Sequence, residues 1–243
     1  MKINIEKELN ELKLLMREVP ASVMMLFCLA TCFMNLLASK EIAFGLDWLA
    51  LDCGFSLSWL IFLCMDMITK RFGAKAAIEL SIVAEAVNLF MCIILFIVSK
   101  IPGNWSVYYD YNIDAVNSAI NSTIGGTWYV VFGSTVAFIV SAIVNAIINE
   151  NIGTRLTGSS FKVFAIRSYI STVIGQFVDN MVFALIVSHV FFGWSMTQCV
   201  TCAFTGCILE FMSEVIFSPL GYKVSKGWER ENVGKAYLDL RGN

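Results

Sequence analysis

Long apolar stretches constrain the fold of this chain more than any other feature of its sequence. Hydrophobic residues make up 58% of the 243 residues and charged residues only 15%, and the mean hydropathy is +0.72. These values lie far outside the range of soluble globular domains. A membrane span needs about 20 mainly apolar residues and must satisfy its backbone hydrogen bonds internally. We therefore predict an all-α integral membrane protein, placed as a multi-pass protein in the plasma or inner membrane.

The apolar pattern predicts a bundle of six transmembrane helices. The predicted spans are residues 21–39, 54–70, 76–99, 128–149, 163–190 and 196–220. Residues 1–20 are charged and amphipathic and lead directly into the first span, so we expect them on the membrane surface rather than in a cleavable signal. The predicted organisation is a cytoplasmic segment 1–20, a transmembrane domain 21–222 and a polar cytoplasmic tail 223–243 with a surface helix.

The distribution of positive charge predicts the orientation of the bundle. Fourteen Lys and Arg residues fall in the N-terminal segment, the second and fourth connections and the C-terminal tail, whereas the other connections hold only Lys40 and Lys100. Positive charge is retained on the cytoplasmic side, so both termini are predicted to be cytoplasmic. No basic face suited to nucleic acid is present in the sequence, and we expect no nucleic-acid partner.

The longest connection, residues 100–127, lies on the predicted outer side. It mixes turn-forming and aromatic residues with a weakly helical AVNSAIN run. Two interpretations stay open, a short re-entrant or interfacial cap and an ordinary loop, and the composition favours the ordinary loop.

The cysteine pattern does not indicate disulfides or a metal site. The eight cysteines fall mostly within or beside the spans, where a free thiol packs as a small apolar group. Cys199 and Cys202 form a single CxxC pair, and His189 is the one histidine, so a zinc site would lack a second pair of ligands. We predict no metal and no cofactor, and interpret His189 as an interfacial polar tip rather than a proton sensor.

Ionisable residues at membrane depth carry the functional information. Seven acidic or basic residues that fall inside the predicted spans are Asp66, Glu79, Glu85, Arg167, Asp179, Glu210 and Glu214. A charge at the centre of a span costs roughly 2.5 to 3.5 kcal/mol on insertion scales. Asp66 lies one turn from Lys70, and Arg167 can reach the headgroups, but Asp179 and Glu85 lie near the midplane. These two carboxylates are expected to face a cavity or a partner.

Helical spacing places further polar residues on shared faces. The stripes are Ser168, Thr172, Gln176 and Asp179 on helix five, Glu85 and Asn88 on helix three, Asn145 and Asn149 on helix four, and Glu210 and Glu214 on helix six. Any one of these residues could serve only in an interhelical hydrogen bond. Close acidic groups repel unless a cation, a proton or a donor-rich ligand joins them. Carboxylates with amides and aromatic rings suit a guanine-like heterocycle, although other small molecules that are cationic or rich in hydrogen-bond donors also fit.

The stretch from Arg167 to Phe183, RSYISTVIGQFVDNMVF, resembles the R-S-x-x-S-x-x-x-x-Q-x-x-D signature of the vitamin uptake transporter family, the queuosine-precursor transporters. Further matching positions are Asn35 with Ala38, Ser39 and Lys40, Asp66 with Phe72, Gly73 and Lys75, and Glu214 with Pro219. The resemblance covers residues 24–222. It implies a six-helix importer of 7-deazaguanines, precursors of a modified tRNA base, that works without an ATPase subunit.

The resemblance also implies which residues bind the substrate. The matched positions are Arg167, Ser171, Gln176 and Asp179 on helix five, with Asn35, Asp66 and Glu214 on other helices. The polar stripes add Glu210, Glu85 and Asn145 to this set.

The chain departs from the family pattern at three positions. Trp59 stands where a proline is expected, Lys70 where an acidic residue is expected, and Glu210 where a lysine is common. Because Glu210 makes the site more acidic, we expect a preference for amine-bearing precursors such as 7-aminomethyl-7-deazaguanine or queuine over the nitrile. The alternative is that Glu210 pairs with an Arg or Lys and only holds the bundle together.

Two other classes of protein must be weighed against a secondary transporter. The nearest is the substrate-binding subunit of an ATPase-driven vitamin importer, which would copurify with an ATPase. An intramembrane enzyme is disfavoured, because the sequence has no HExxH, GxSxG or P-loop motif. We therefore expect a non-enzyme whose partners are a small-molecule substrate and the lipid bilayer, with a homodimer as the assembly to consider.

Overall fold

The computed structural model of the chain describes residues 5–105, 113–155 and 161–242. The helices are α1 (Ile5–Glu18), α2 (Ala21–Leu37), α3 (Phe55–Phe72), α4 (Ala74–Lys100), α5 (Ile113–Gly125), α6 (Thr127–Arg155), α7 (Phe161–Phe183), α8 (Met196–Arg230) and α9 (Lys235–Gly242). A π-helical turn, Ala184–His189, continues α7. Strands β1 (Glu41–Ala43) and β2 (Ala50–Asp52) form one antiparallel hairpin. The predominantly helical prediction is confirmed, whereas the hairpin was not predicted.

Only some of these helices qualify as spans by length and apolarity. Within the described ranges, the qualifying segments are Ala74–Lys100, Asp114–Ser141, Tyr169–His189 and Met196–Arg230. A fifth span results if α1 and α2, which meet at a bend of 104°, are counted together. Helix α3 has 18 residues and carries three charges, Asp66, Lys70 and Arg71. The six-span count and the cytoplasmic placement of both termini stay predictions.

Two helices of the structure continue beyond the predicted spans, because the residues that extend them are mostly polar and follow no apolar pattern. The fourth connection was predicted from residue 150, but α6 continues to Arg155. The sixth span was predicted to end near residue 220, but α8 continues through Pro219 to Arg230. In the longest connection, α5 covers Ile113–Gly125 and includes the AVNSAIN run, while residues 106–112 lie outside the described part of the chain.

Helix α8 sets the level at which its neighbours meet. Between α3 and α8, Ser58 contacts Glu210 and Lys70 contacts Tyr222, so residue numbers rise together along the two helices. Between α7 and α8, Asn180 contacts Glu210 and Tyr169 contacts Ser218, so residue numbers run in opposite directions. Helix α3 therefore runs parallel to α8, and α7 runs antiparallel to it. Residues Ser58, Asn180 and Glu210 lie at one level of the bundle.

The largest hydrophobic cluster among the described residues includes the end of the bundle where α1 and α9 lie. Phe72 packs there against Trp228 and Tyr237, with ring centroids 6.2 and 6.1 Å apart. Gly234 has a φ of +78°, and a β-carbon at this position would overlap the Phe72 ring, so only glycine fits the turn between α8 and α9. Helices α1 and α9 contact each other at this end of the bundle.

One lysine joins α1 to the start of α4. The Nζ atom of Lys75 lies 2.6 Å from Glu8, 2.8 Å from Glu11 and 3.5 Å from Glu79. The Glu11 side chain is only 7% exposed, and its hydrogen bond with Lys75 lowers the pKa of the Glu11 carboxyl in spite of the opposing effect of burial. Electrostatic attraction and apolar packing together hold α1 against the bundle.

We expect Glu11→Gln to lower the free energy of unfolding at pH 7 by on the order of 1 kcal/mol, because it removes a partly screened ion pair. The folded-state pKa of Glu11 is depressed, so this stabilisation is present above the ordinary carboxyl pKa and is lost as the pH falls through the lowered value. Thermal unfolding in detergent between pH 7 and pH 3 measures it. Glu6→Gln, at an exposed position of the same helix, is the control. Equal stability of the two variants at pH 7 would contradict the role given to Glu11.

Candidate functional site

Two adjoining cavities lie between α2, α3, α4, α6, α7 and α8. They share four lining residues, Met34, Ser58, Ser134 and Asp179. We call the cavity nearer the hairpin the hairpin chamber and the other the deep chamber. Their volumes are about 40 and 30 Å³ respectively. Such spaces hold only a few water molecules, so a larger ligand requires the helices to separate.

The deep chamber has mainly apolar walls with two carboxylates. Phe62 and Phe138 line it together with Glu85 and Asp179. The hydroxyl of Ser141 donates to Asp179 Oδ1 at 2.8 Å. The chamber therefore combines aromatic surface with carboxylate oxygens near the middle of the bundle.

The hairpin chamber is more polar. Asn35, Asp52, Asn180 and Glu210 line it, and Asp179 stands where it joins the deep chamber. Glu210 is 3% exposed and has two neutral donors, the hydroxyl of Ser58 on Oε1 and the amide of Asn180 on Oε2 at 2.9 Å. These bonds join α3, α7 and α8 at a single carboxylate.

The second carboxylate of the deep chamber also has only neutral hydrogen-bond donors. Glu85 Oε2 lies 3.3 Å from the Asn88 amide and 3.4 Å from the Thr135 hydroxyl. Both distances are long for charge-assisted hydrogen bonds. Over the described residues, neither chamber has a Lys or Arg in its lining. Carboxylates close together in such surroundings repel one another unless protons or a cationic ligand offset their charge.

The chambers bring together four of the predicted site residues. Asp179, Glu85, Glu210 and Asn35 all line them, although these residues come from α7, α4, α8 and α2. For Glu210, the alternative of an Arg or Lys partner finds no support among the described side chains, because its hydrogen bonds are to Ser58 and Asn180. Asp179 and Glu85 line the same chamber, and their position near the midplane of the membrane stays a prediction.

Other predicted site residues lie away from the chamber linings. Gln176 is fully buried, and neither atom of its amide has a hydrogen-bond partner in the described part of the chain. Ser171 and Glu214 are each 2% exposed in α7 and α8. The antiparallel register of these helices places Gln176 at about the level of Glu214, one turn from Glu210.

Three further predicted residues are only partly defined by the structure. Asp66 lies on α3, partly buried and not among the residues lining the chambers. Asn145 lies on α6 and Arg167 on α7, but their side chains are outside the described part of the structure.

Sequence reasoning missed Asp52 and gave too little weight to Asn180. Asp52 falls in a connection, and only the pairing of β1 with β2 brings it to the chamber, so no local pattern could identify it. Asn180 follows Asp179 directly, and its position beside a midplane carboxylate was the available signal.

Two departures from the family pattern have aromatic partners in the structure. The Trp59 ring stacks on Phe217 with centroids 4.2 Å apart and an interplanar angle of 14°. The ammonium of Lys70 lies 3.5 Å from the centroid of the Tyr222 ring. Both contacts join α3 to α8, so these side chains strengthen the helix pair that holds Glu210 and Ser58.

Comparison with known families supplies independent information. A family model described as a putative vitamin uptake transporter matches residues 52–224. No match was found among curated proteins or among solved structures. The matched region begins at Asp52 and includes Asp179 and Glu210. Together with the long apolar helices, the match shows that the chain is a multi-pass protein of the cell membrane.

The turn that fixes Asp52 gives a steric prediction. A β-carbon on Gly54 would lie 2.7 Å from Asp52 Oδ1 and 3.0 Å from the Met34 carbonyl oxygen. We expect Gly54→Ala to lower the free energy of unfolding by about 1 to 3 kcal/mol, the usual cost of overpacking. Gly227→Ala is the control, because nothing lies within 4 Å of the place that a β-carbon would take there. Thermal unfolding compares the two, and an unchanged melting temperature for Gly54→Ala would contradict this geometry.

Proposed function

The chain belongs to the putative vitamin uptake transporter family, and we propose that it imports a 7-deazaguanine precursor of queuosine as a secondary transporter. The observation that carries the proposal is the pair of chambers joined at Asp179, one with aromatic walls and one with carboxylates and amides. In this proposal the bundle has six spans and cytoplasmic termini.

The deep chamber suits the heterocycle. A carboxylate can accept two parallel N–H bonds from a guanine-like edge, and such charge-assisted pairs are both strong and directional. Asp179 Oδ1 accepts one bond from Ser141, which restricts the orientation of this chamber-lining carboxylate. The rings of Phe62 and Phe138 supply apolar surface for the faces of the base.

The hairpin chamber suits the substituent at the 7-position. Glu210 is buried with two neutral donors, so an ammonium placed there would supply the opposite charge that the described side chains do not. A nitrile carries no charge and gains no such contact. We therefore propose that amine-bearing precursors are preferred.

The remaining predicted residues enter the proposal in a state with separated helices. The small chambers require such a state before a bicyclic base can enter. The buried amide of Gln176 supports such a state, because an amide without hydrogen-bond partners costs free energy. A ligand that forms hydrogen bonds with this amide would recover that free energy. We propose that Gln176, Ser171, Glu214, Arg167, Asn145 and Asp66 contact the substrate during its passage.

Uptake of labelled 7-deazaguanines by cells that cannot make the precursor tests the function. Expression of this chain should restore uptake and queuosine in tRNA. Purified protein in liposomes distinguishes the ATPase-linked alternative, because a secondary transporter should carry substrate into the liposomes without ATP or a copurified ATPase. Uptake that requires an ATPase would favour a substrate-binding subunit.

We expect Asp179→Asn to reduce uptake to background while leaving insertion and folding intact, because the substitution keeps the side-chain size but removes the charge that a donor pair requires. Uptake normalised to membrane-inserted protein measures the effect. Asp114→Asn, at an exposed position in α5, is the control. Normal uptake by Asp179→Asn would contradict the proposal that the Asp179 carboxylate binds the substrate.

For Glu210→Gln we expect a selective loss of amine-bearing substrates. Uptake of 7-aminomethyl-7-deazaguanine should fall about tenfold, which corresponds to roughly 1.4 kcal/mol, while uptake of the nitrile changes little. Competition uptake with both compounds measures the ratio, and Glu41→Gln on the exposed face of β1 is the control. Equal loss for the two compounds would leave Glu210 a structural residue.

A further inference from the structure

The β1–β2 hairpin forms part of the wall of the hairpin chamber, which Leu51 and Asp52 of β2 line. Ala50 and Leu51 of β2 are 0% and 2% exposed and pack with Cys199 and Cys202 of α8. The tip of the hairpin is exposed, and its link to α8 includes a bond of 2.7 Å from the Thr201 hydroxyl to a hairpin carbonyl, that of Trp48. The hairpin is therefore attached to α8 both through β2 and through Trp48, while most side chains of the connecting turn are exposed.

Asp52 ends β2 and lines the chamber with Asp179 and Glu210. Its Oδ1 accepts the backbone N–H of Gly54 at 2.7 Å, which fixes the carboxylate in a tight turn before α3. Asp179 and Glu210 are on helices, whereas Asp52 is carried by the hairpin. Movement of the hairpin would therefore move one wall of the chamber.

We propose that Asp52 is a substrate-contacting residue that holds the ammonium of an amine-bearing precursor, and that the hairpin carrying it closes the chamber on the predicted outer side. The inference rests on the proposed function and adds to it a substrate-contacting residue, Asp52, and a structural element that closes the chamber, the hairpin.

The physical argument starts from the small size of the hairpin. Its strands have three residues each, and a two-stranded hairpin has little stability apart from the surface on which it packs. An ammonium between Asp52 and Glu210 would attract both carboxylates and so draw the hairpin onto α8. A neutral substituent would leave these carboxylates repelling each other. Closure and substrate charge are thereby linked.

The first test is binding to the purified full-length protein. Asp52→Asn should raise the Kd for 7-aminomethyl-7-deazaguanine about tenfold and leave the Kd for the nitrile nearly unchanged. Asp47→Asn, at the exposed tip of the same hairpin, is the matched control and should change neither. Unchanged or equally weakened binding of both compounds by Asp52→Asn would overturn the contact.

The second test does not depend on the substrate. Cys202 is 5% exposed beneath the hairpin, so a membrane-impermeant thiol reagent added outside should label it slowly. Thr201→Val removes the bond to Trp48 and should raise Cys202 labelling, identified by peptide mass spectrometry, several-fold. Thr197→Val, one turn earlier and exposed, is the control. An unchanged rate in Thr201→Val would overturn the hairpin as a closure.

The two tests separate the possible failures. Wild-type protein that binds neither 7-deazaguanine would overturn the proposed function, and with it the contact to Asp52. The labelling rate of Cys202 would still decide whether the hairpin closes the chamber.

Discussion

A carboxylate buried among neutral donors is the constraint on which the rest of the bundle depends. Glu210 accepts from Ser58 of α3 and Asn180 of α7, so one acidic side chain sets the mutual level of three helices. Burying such a group is costly unless its hydrogen bonds are satisfied and its charge is offset. The hydrogen bonds are present within the described chain. A cation or a proton is what the site still requires, and this requirement links the packing of the helices to a ligand.

The apolar pattern predicted much of the helical structure, since each predicted span coincides with a helix to within a few residues over most of its length. The ends of α6 and α8 were missed because polar residues can continue a helix beyond the membrane, and apolarity does not mark where such a helix stops. The hairpin was missed because strands of three residues have too few positions for an alternating pattern.

Two residues of the candidate site were predictable from their position within the predicted spans. Asp179 and Glu85 were expected to face a cavity or a partner because both were predicted to lie too deep to reach the headgroups, and both line the deep chamber. Spacing was a weaker guide: Gln176 was placed on the same stripe as Asp179, but positions three apart on a helix differ by about 60° and can face different neighbours. Asp52 required knowledge of the tertiary structure, because a residue between spans reaches the chamber only through the pairing of β1 with β2.

The central claim is that substrate binds in the joined chambers at Asp179, and an experimental structure with bound 7-aminomethyl-7-deazaguanine tests it most directly. The account predicts density for the base between Phe62, Phe138 and Asp179, with the amine directed toward Glu210 and the hairpin. Density at the α7–α8 interface beside Gln176, with both chambers closed and empty, would contradict it.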